Sequence, residues 1–352
     1  MDSFATFGAQ SDCTIEIDAS ERPQLIVYVD GEEEFPWSTF SRDSISVRNI
    51  GFQHRGQEIF NRFGVKPTYL VDYPVASQDE GIKPLLEFVQ AGVGSIGSQL
   101  HPWVNPPIDE ELTVRNTFTG NLPAALTRAK IEQLTQTITK NFGRAPRVFK
   151  AGRYGMGIHV PQILKENGYL VDASVMPLAD FSRDGGPDHT MMAARPYWLD
   201  KDRELLEIPV TASLVGLWAG AGHVGARLVF NSFSTLLRAP ALLSRLGLIE
   251  RIRLTPEGIS LDEAKRLTMS LIRSGQRLFV LSYHSSSLLP GSTPYVADEA
   301  DLQKFLQWLD GYCRFFFGSL GGRATTAEDV YGWAKAPESP AAALEPCLLS
   351  AS

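Results

Sequence analysis

Short apolar runs alternate with longer amphipathic stretches along most of the chain. Residues 25–29 are five consecutive apolar side chains that stop at Asp30, which is typical of a strand buried on both faces. Similar runs recur at 67–72, 93–97, 147–149, 169–172, 205–209 and 278–284. Apolar residues at helical spacing predict helices over 44–63, 79–91, 122–142, 160–167 and 298–317. The alternation predicts an α/β fold, either a parallel (β/α) barrel or an open parallel sheet.

Two parts of the chain depart from this alternation. Residues 211–254 mix glycines, leucines and arginines, which indicates a cap or insertion over the site or a membrane-surface contact. The glycines favour the cap, because glycine weakens a helix. From residue 334 onward, alanine, proline and serine predict a frayed tail. We therefore expect an N-terminal extension over 1–23, a barrel domain over 24–333 and a flexible tail over 334–352.

Composition and charge exclude several classes of protein. The 352 residues are 43% hydrophobic and 21% charged, as in an ordinary soluble globular protein, and the net charge of −7 gives no basic surface for nucleic acid. Three widely separated cysteines indicate neither a disulfide framework nor a thiolate metal site. The acidic first twenty residues lack an apolar core, and no charge-free run is a good membrane span. These features predict a cytoplasmic protein.

Polar side chains stand at the predicted strand ends, where αβ-alternating folds collect their chemistry. They comprise three carboxylates, two histidines and one guanidinium: Asp30, Glu32, Asp172, His101, His284 and Arg153. Carboxylate and imidazole together suit a divalent metal such as zinc, whose bound water could attack an amide or ester. A carboxylate could accept the water proton and a histidine could protonate the leaving group. Alternatively, the histidines are hydrogen-bonded structural residues and Asp172 caps a turn.

Five motifs in chain order resemble the polysaccharide deacetylases of the NodB-homology superfamily, most closely the WalW-type branch. They are Val-Asp-Gly-Glu-Glu-Glu-Phe at 29–35, Ile-Gly-Ser-Gln-Leu-His-Pro-Trp at 96–103, Lys-Ala-Gly-Arg-Tyr-Gly at 150–155, Val-Asp-Ala-Ser at 171–174 and Ser-Tyr-His-Ser-Ser-Ser at 282–287. The resemblance covers residues 24–333. It implies a distorted (β/α) barrel that removes acetyl groups from N-acetylated sugars by metal-assisted hydrolysis.

The resemblance also implies a role for each matching residue. Asp30 matches the catalytic base and His284 the general acid, which Asp172 would tune, while Arg153 lies in the motif that orients the base. The implied ligands of a divalent metal, zinc by preference, are Glu32, Gln99 and His101. The aromatic residues expected to bind substrate are Trp37, Trp103 and Tyr154.

Three positions depart from the family pattern. Gln99 stands where a histidine ligand is usual, and a neutral amide holds zinc less well. Lys150 stands where arginine is usual, and lysine lacks the bidentate fork that fixes a carboxylate. Gly31 replaces a second aspartate, which transfers the implied metal role to Glu32.

The residues and the resemblance leave three hypotheses. The first is a cytoplasmic carbohydrate de-N-acetylase that serves cell-surface polysaccharide synthesis, with a nucleotide- or lipid-linked sugar as substrate. The second is a catalytically lapsed barrel that binds a glycan or a partner protein. The third is a glycoside hydrolase using Asp30 and Glu32. We disfavour it because those acids start from one strand, whereas glycosidase carboxylates face each other across the scissile bond.

Overall fold

The computed structural model describes residues 14–36, 39–216 and 250–336. Its strands are β1 (Gln24–Gly31), β2 (Thr68–Val71), β3 (Ser95–Leu100), β4 (Val148–Ala151), β5 (Val171–Asp172), β6 (Tyr197–Trp198), β7 (Leu206–Glu207), β8 (Ala212–Val215), β9 (Glu250–Arg253), β10 (Leu278–His284) and β11 (Arg323–Ala324). Its helices are α1 (His54–Arg62), α2 (Tyr73–Ser77), α3 (Asp79–Gln90), α4 (Ala124–Phe142), α5 (Val160–Glu166), α6 (Leu261–Arg273), α7 (Glu299–Cys313) and α8 (Ala327–Lys335).

Nine of these strands form one curled sheet in the order β10-β1-β2-β3-β4-β5-β7-β6, with β11 added beside β1. Every neighbouring pair is parallel except β6 and β7. The chain leaving β7 reaches the opposite end of the sheet, where the Val280 amide donates to Thr211 Oγ1 at 2.8 Å. The predicted α/β fold with a distorted, barrel-like parallel sheet is therefore confirmed.

The buried side chains separate into two layers because successive residues of a strand face opposite ways. Leu25, Val27 and Val29 pack with the helices in the larger cluster. Ile26 and Tyr28 belong to a smaller cluster inside the curl, which α8 helps to cover. Asp30 continues the inward-facing series, so its carboxylate lies inside the curled sheet at the carboxyl end of β1.

Several local predictions need adjustment. The predicted helix over 44–63 is a 3₁₀ turn, Arg48–Phe52, followed by α1, and the last long helix is α7 followed by a π-helical segment, Arg314–Ser319. A capping box opens α6, since Ser260 Oγ accepts from the Glu263 amide at 3.3 Å. Residues 334–335, predicted as the start of the tail, belong to α8.

The region predicted to be a cap is described only in part. Within 211–254, strands β8 and β9 form an antiparallel pair, and residues 217–249 lie outside the described residues. The cap and the domain boundaries therefore stay predictions. Among the helices that the structure describes, none has both the length and the apolar character needed to cross a membrane.

Candidate active site

Asp30 and His284 lie side by side at the carboxyl ends of two neighbouring strands, β1 and β10. They are register partners in the β1–β10 pairing, and Asp30 Oδ2 lies 3.7 Å from His284 Nε2. Lys150, which faces inward from β4, donates to the same Oδ2 at 2.5 Å. A carboxylate, an imidazole and an ammonium from three strands thus converge at one point, as the sequence predicted for Asp30 and His284.

The carboxylate partner of His284 is Glu257, which the sequence analysis missed. Glu257 Oε2 lies 2.8 Å from His284 Nδ1, and Glu257 Oε1 accepts from the His284 amide at 2.9 Å and from Ser287 Oγ at 2.7 Å. Burial opposes the charge of His284, but the Glu257 carboxylate outweighs it and raises the pKa of His284 to about 10. Likewise, burial is outweighed by His284, so that the pKa of Glu257 is lowered to about 2. The pair is an imidazolium and a carboxylate at neutral pH.

Asp172 does not tune His284 in this structure, contrary to the prediction. Its Oδ1 accepts from Ser174 Oγ at 2.5 Å, and it lies beside Glu207 in the β5–β7 register. Burial raises the pKa of Asp172 to about 6. The physical reason is strand order: four strands separate β5 from β10, whereas the segment that follows β9 passes directly beside the end of β10.

Arg153 does not orient Asp30 either. Its guanidinium donates to Thr117 Oγ1 at 2.6 Å and to Asp184 Oδ2 at 2.8 Å, and it lies over the Phe118 ring at 4.1 Å. Arg153 follows the end of β4 with a left-handed φ of 55°, which directs it toward these loops. Lys150 precedes that turn and occupies the position beside Asp30.

The three predicted metal ligands do lie together. Gln99 Nε2 donates to Glu32 Oε2 at 2.9 Å and lies 2.9 Å from His101 Nε2, which is 3.6 Å from the same Glu32 oxygen. Glu32 Oε1, Gln99 Oε1 and the nearby Asp30 Oδ1 are buried and accept no hydrogen bond from the described chain. Burial raises the pKa of Glu32 to about 7. Unsatisfied buried oxygens beside an imidazole fit a divalent cation.

A second row of buried groups holds His101 in place. Glu33 Oε2 lies 2.8 Å from His101 Nδ1, Glu33 Oε1 accepts from Trp103 Nε1 at 2.8 Å, and the Glu33 amide donates to Asp72 Oδ2 at 2.7 Å. Glu33, Asp72 and His101 also have ligand atoms close enough together to hold a metal. The oxygens of Glu33 and Asp72 already accept hydrogen bonds, so we infer that these two residues orient His101 and do not bind a metal. The Nε2 atom of His101 is then the one that would bind a metal together with Glu32 and Gln99.

The aromatic residues predicted to bind substrate differ in placement. Trp103 is 1% exposed and stacks on His101 at a centroid distance of 4.3 Å. It therefore packs against His101 and offers no surface to a sugar. Tyr154 lies with its ring 4.6 Å from Lys150 Nζ, and its hydroxyl accepts from Arg253 at 3.3 Å. Trp37 lies outside the described residues.

Comparison with known proteins gives similarity in structure but not in sequence. No family model matches the chain, and no curated protein matches it. A crystal structure from Mycobacterium smegmatis, designated a polysaccharide deacetylase, superposes with a TM-score of 0.55 over 97% of this chain and 98% of that one. The chain has the fold of that protein. The sequence identity is 16%, so the likeness extends to the fold alone.

Two other solved structures are more distant. A peptidoglycan N-acetylglucosamine deacetylase is 11% identical, with 90% of each chain covered and a TM-score of 0.44. A pseudoenzyme of carbohydrate esterase family 4 from Bacillus anthracis is 9% identical, with 88% of this chain and 66% of that one covered and a TM-score of 0.43.

Proposed function

We propose that the chain is a carbohydrate de-N-acetylase of the NodB-homology superfamily, in its WalW-type branch. The observation that carries this proposal is the pair Asp30 and His284, 3.7 Å apart at the carboxyl ends of β1 and β10. A base and a protonated acid side by side at one end of the sheet suit the hydrolysis of an acetamide. The deacetylase-like fold supports the same reaction class.

The proposed reaction follows from the groups around Asp30 and His284. Asp30, positioned by the Lys150 ammonium, accepts the proton of the attacking water. His284, held as an imidazolium by Glu257, donates its proton to the departing amine. Glu32, Gln99 and His101 would hold a divalent metal, zinc by preference, which polarises the carbonyl when bound.

The substrate class follows from the same proposal. An N-acetylated sugar or glycan precursor used in cell-surface polysaccharide synthesis, carried on a nucleotide or a lipid, is the substrate we infer for a cytoplasmic enzyme. Tyr154 and Trp37 remain the proposed sugar contacts. Lys150 and Arg253 lie near Asp30, so the surroundings of this carboxylate are polar.

Acetate release tests the proposal. The wild-type protein, Asp30→Ala, His284→Ala and the control Asp172→Asn would be incubated with UDP-N-acetylglucosamine and with chitotetraose, with and without added zinc. We expect release by the wild type and the control, and its loss in both alanine variants. Full activity in both alanine variants would show that the assigned roles are wrong.

A second candidate is a catalytically lapsed barrel that binds a glycan or a partner protein, which Gln99 favours because an amide is a weak zinc ligand. This candidate predicts no acetate release by the wild type but glycan binding that survives the Asp30→Ala change. It also predicts that Gln99→His increases zinc binding and activity. Acetate release by the wild type that Gln99→His does not improve would exclude it.

A further inference from the structure

A cavity lies on the β4–β7 side of the curled sheet. Its volume is about 510 Å³, within the range of small-molecule sites. None of Asp30, Glu32, His101 and His284 lines it. The cavity is therefore formed by residues other than those assigned to the hydrolysis above.

Most of the wall is apolar. The apolar side chains come from the loops after β3, β4 and β5 and from the β6–β7 turn: Phe118, Leu122, Met156, Val175, Met192 and Leu199. A wall of this kind takes an aromatic or aliphatic body, because apolar surface leaves water when it binds.

One hydroxyl group in this wall lacks a partner. Tyr197 is 4% exposed, lines the cavity, and its Oη has no hydrogen bond within the described part of the chain. An unbonded buried hydroxyl is costly, and a bound oxygen acceptor would satisfy it. Tyr197 is the register partner of Glu207 across the β6–β7 pairing, which places the hydroxyl on the face of the sheet that carries Glu207.

The charge around the cavity restricts the ligand further. Glu207 lines the wall beside Asp172, and neither makes an ion pair within the described ranges. Their shared negative charge disfavours an anion, and the two other charged lining residues, Arg115 and Asp188, have opposite signs and so leave no net positive charge on the wall. His189 also lines the wall and accepts the Met176 amide at Nδ1, so the neutral ring carries its proton on Nε2. Burial lowers the pKa of His189 to about 4, so it offers no positive charge to an anion at neutral pH.

We propose that this cavity is a binding site for an uncharged, mainly aromatic or aliphatic small molecule whose carbonyl or hydroxyl oxygen accepts a hydrogen bond from Tyr197. The size of the cavity, its apolar wall, the unpaired hydroxyl and the neighbouring carboxyl groups each specify one property of that ligand. The site is independent of the proposed hydrolysis.

A fluorescent ketone can test the proposal directly. Prodan is an uncharged naphthalene with a carbonyl group, and its emission shifts to the blue in an apolar site. We expect saturable binding to the wild type, and binding of the anion 1-anilinonaphthalene-8-sulfonate that is at least tenfold weaker. Tyr197→Phe should weaken prodan binding roughly two- to tenfold, since one hydrogen bond is lost. The same variant should melt no lower than the wild type, because its hydroxyl is unbonded.

Blocking variants locate the bound probe. Two lining residues are exposed: Ala124 at the start of α4, and Ile158, which is 56% exposed. Replacing either with tryptophan (Ala124→Trp or Ile158→Trp) should fill the entrance of the cavity without disturbing the core. Both should abolish prodan binding, whereas Asp30→Ala should leave it unchanged. The proposal is overturned if the wild type does not bind prodan, if the folded blocking variants still bind it, if Tyr197→Phe has no effect, or if the anion binds as tightly.

Discussion

Replacing Glu257 with glutamine should lower the pKa of His284 substantially. The Glu257 carboxylate lies 2.8 Å from Nδ1 and is the main reason that the pKa reaches about 10 despite burial. A charge pair about 4 Å apart at an effective dielectric constant of about 20 is worth roughly 4 kcal/mol. At about 1.4 kcal/mol per pKa unit, its loss should move the pKa of His284 from about 10 to about 7.

The pKa can be followed from the imidazole Cε1–H resonances in two-dimensional NMR spectra. The chain has six histidines, and His284→Gln would assign the relevant peak. Asp172→Asn is the matched control, since Asp172 bonds Ser174 and should leave the titration unchanged. A wild-type pKa of His284 near 6.5, or an equal response to both changes, would refute the assignment of Glu257.

The same pair makes stability depend on pH in a defined direction. The pKa of His284 is higher in the folded protein than its value of about 6.5 in the unfolded chain. The contribution of His284 to the unfolding free energy is therefore complete below about pH 6.5 and is lost as the pH rises through about 10. The pKa of Glu257 is depressed, so its contribution is present above about 4.5 and is lost as the pH falls through about 2. The difference in unfolding free energy between wild type and Glu257→Gln should therefore be greatest from about pH 4.5 to 6.5. Urea denaturation at several pH values measures it.

Three further predictions concern the groups around the acid pair. Lys150→Met leaves the buried Asp30 carboxylate without its nearest cation, so urea denaturation should show a loss of roughly 3–5 kcal/mol in unfolding free energy that Asp30→Asn in the same chain largely restores. No loss would contradict the pairing. Glu33→Gln should weaken zinc binding roughly 10–100-fold in competition with a chromogenic chelator, because Glu33 orients His101; unchanged affinity would show that His101 is not a ligand. Gln99→His should tighten zinc binding in the same assay by adding an imidazole ligand, and equal affinity would place the metal elsewhere.

The sequence was sufficient for the two longest strands of the sheet. The apolar runs that became β1 and β10 are long and end in polar residues, and parallel pairing brings Asp30 and His284 together. Strands β5, β6 and β7 span two residues each, too few to show a period, so β6 was missed and the other two were predicted too long.

The residues that contact Asp30, His284 and His101 were harder to predict. Their positions depend on side-chain direction and on how distant segments pack together. Lys150 lies two residues after Val148, so the alternation of a strand places both side chains on the inward face of β4. The left-handed turn that directs Arg153 away from Asp30 has no marker in the sequence. Glu257 follows β9, and its position beside the end of β10 depends on tertiary packing that no local pattern shows. Glu33 was visible in the first motif, but its contact with His101 depends on the neighbouring strands.

The most direct test of the central claim is a double-mutant cycle on acetate release, measured at saturating substrate for wild type, Asp30→Asn, His284→Gln and the double variant. Residues that act as one catalytic unit are strongly non-additive. We predict that the double variant is no slower than the slower single variant. Rate losses that multiply, or single variants as fast as the wild type, would contradict the claim that Asp30 and His284 act together on one acetamide.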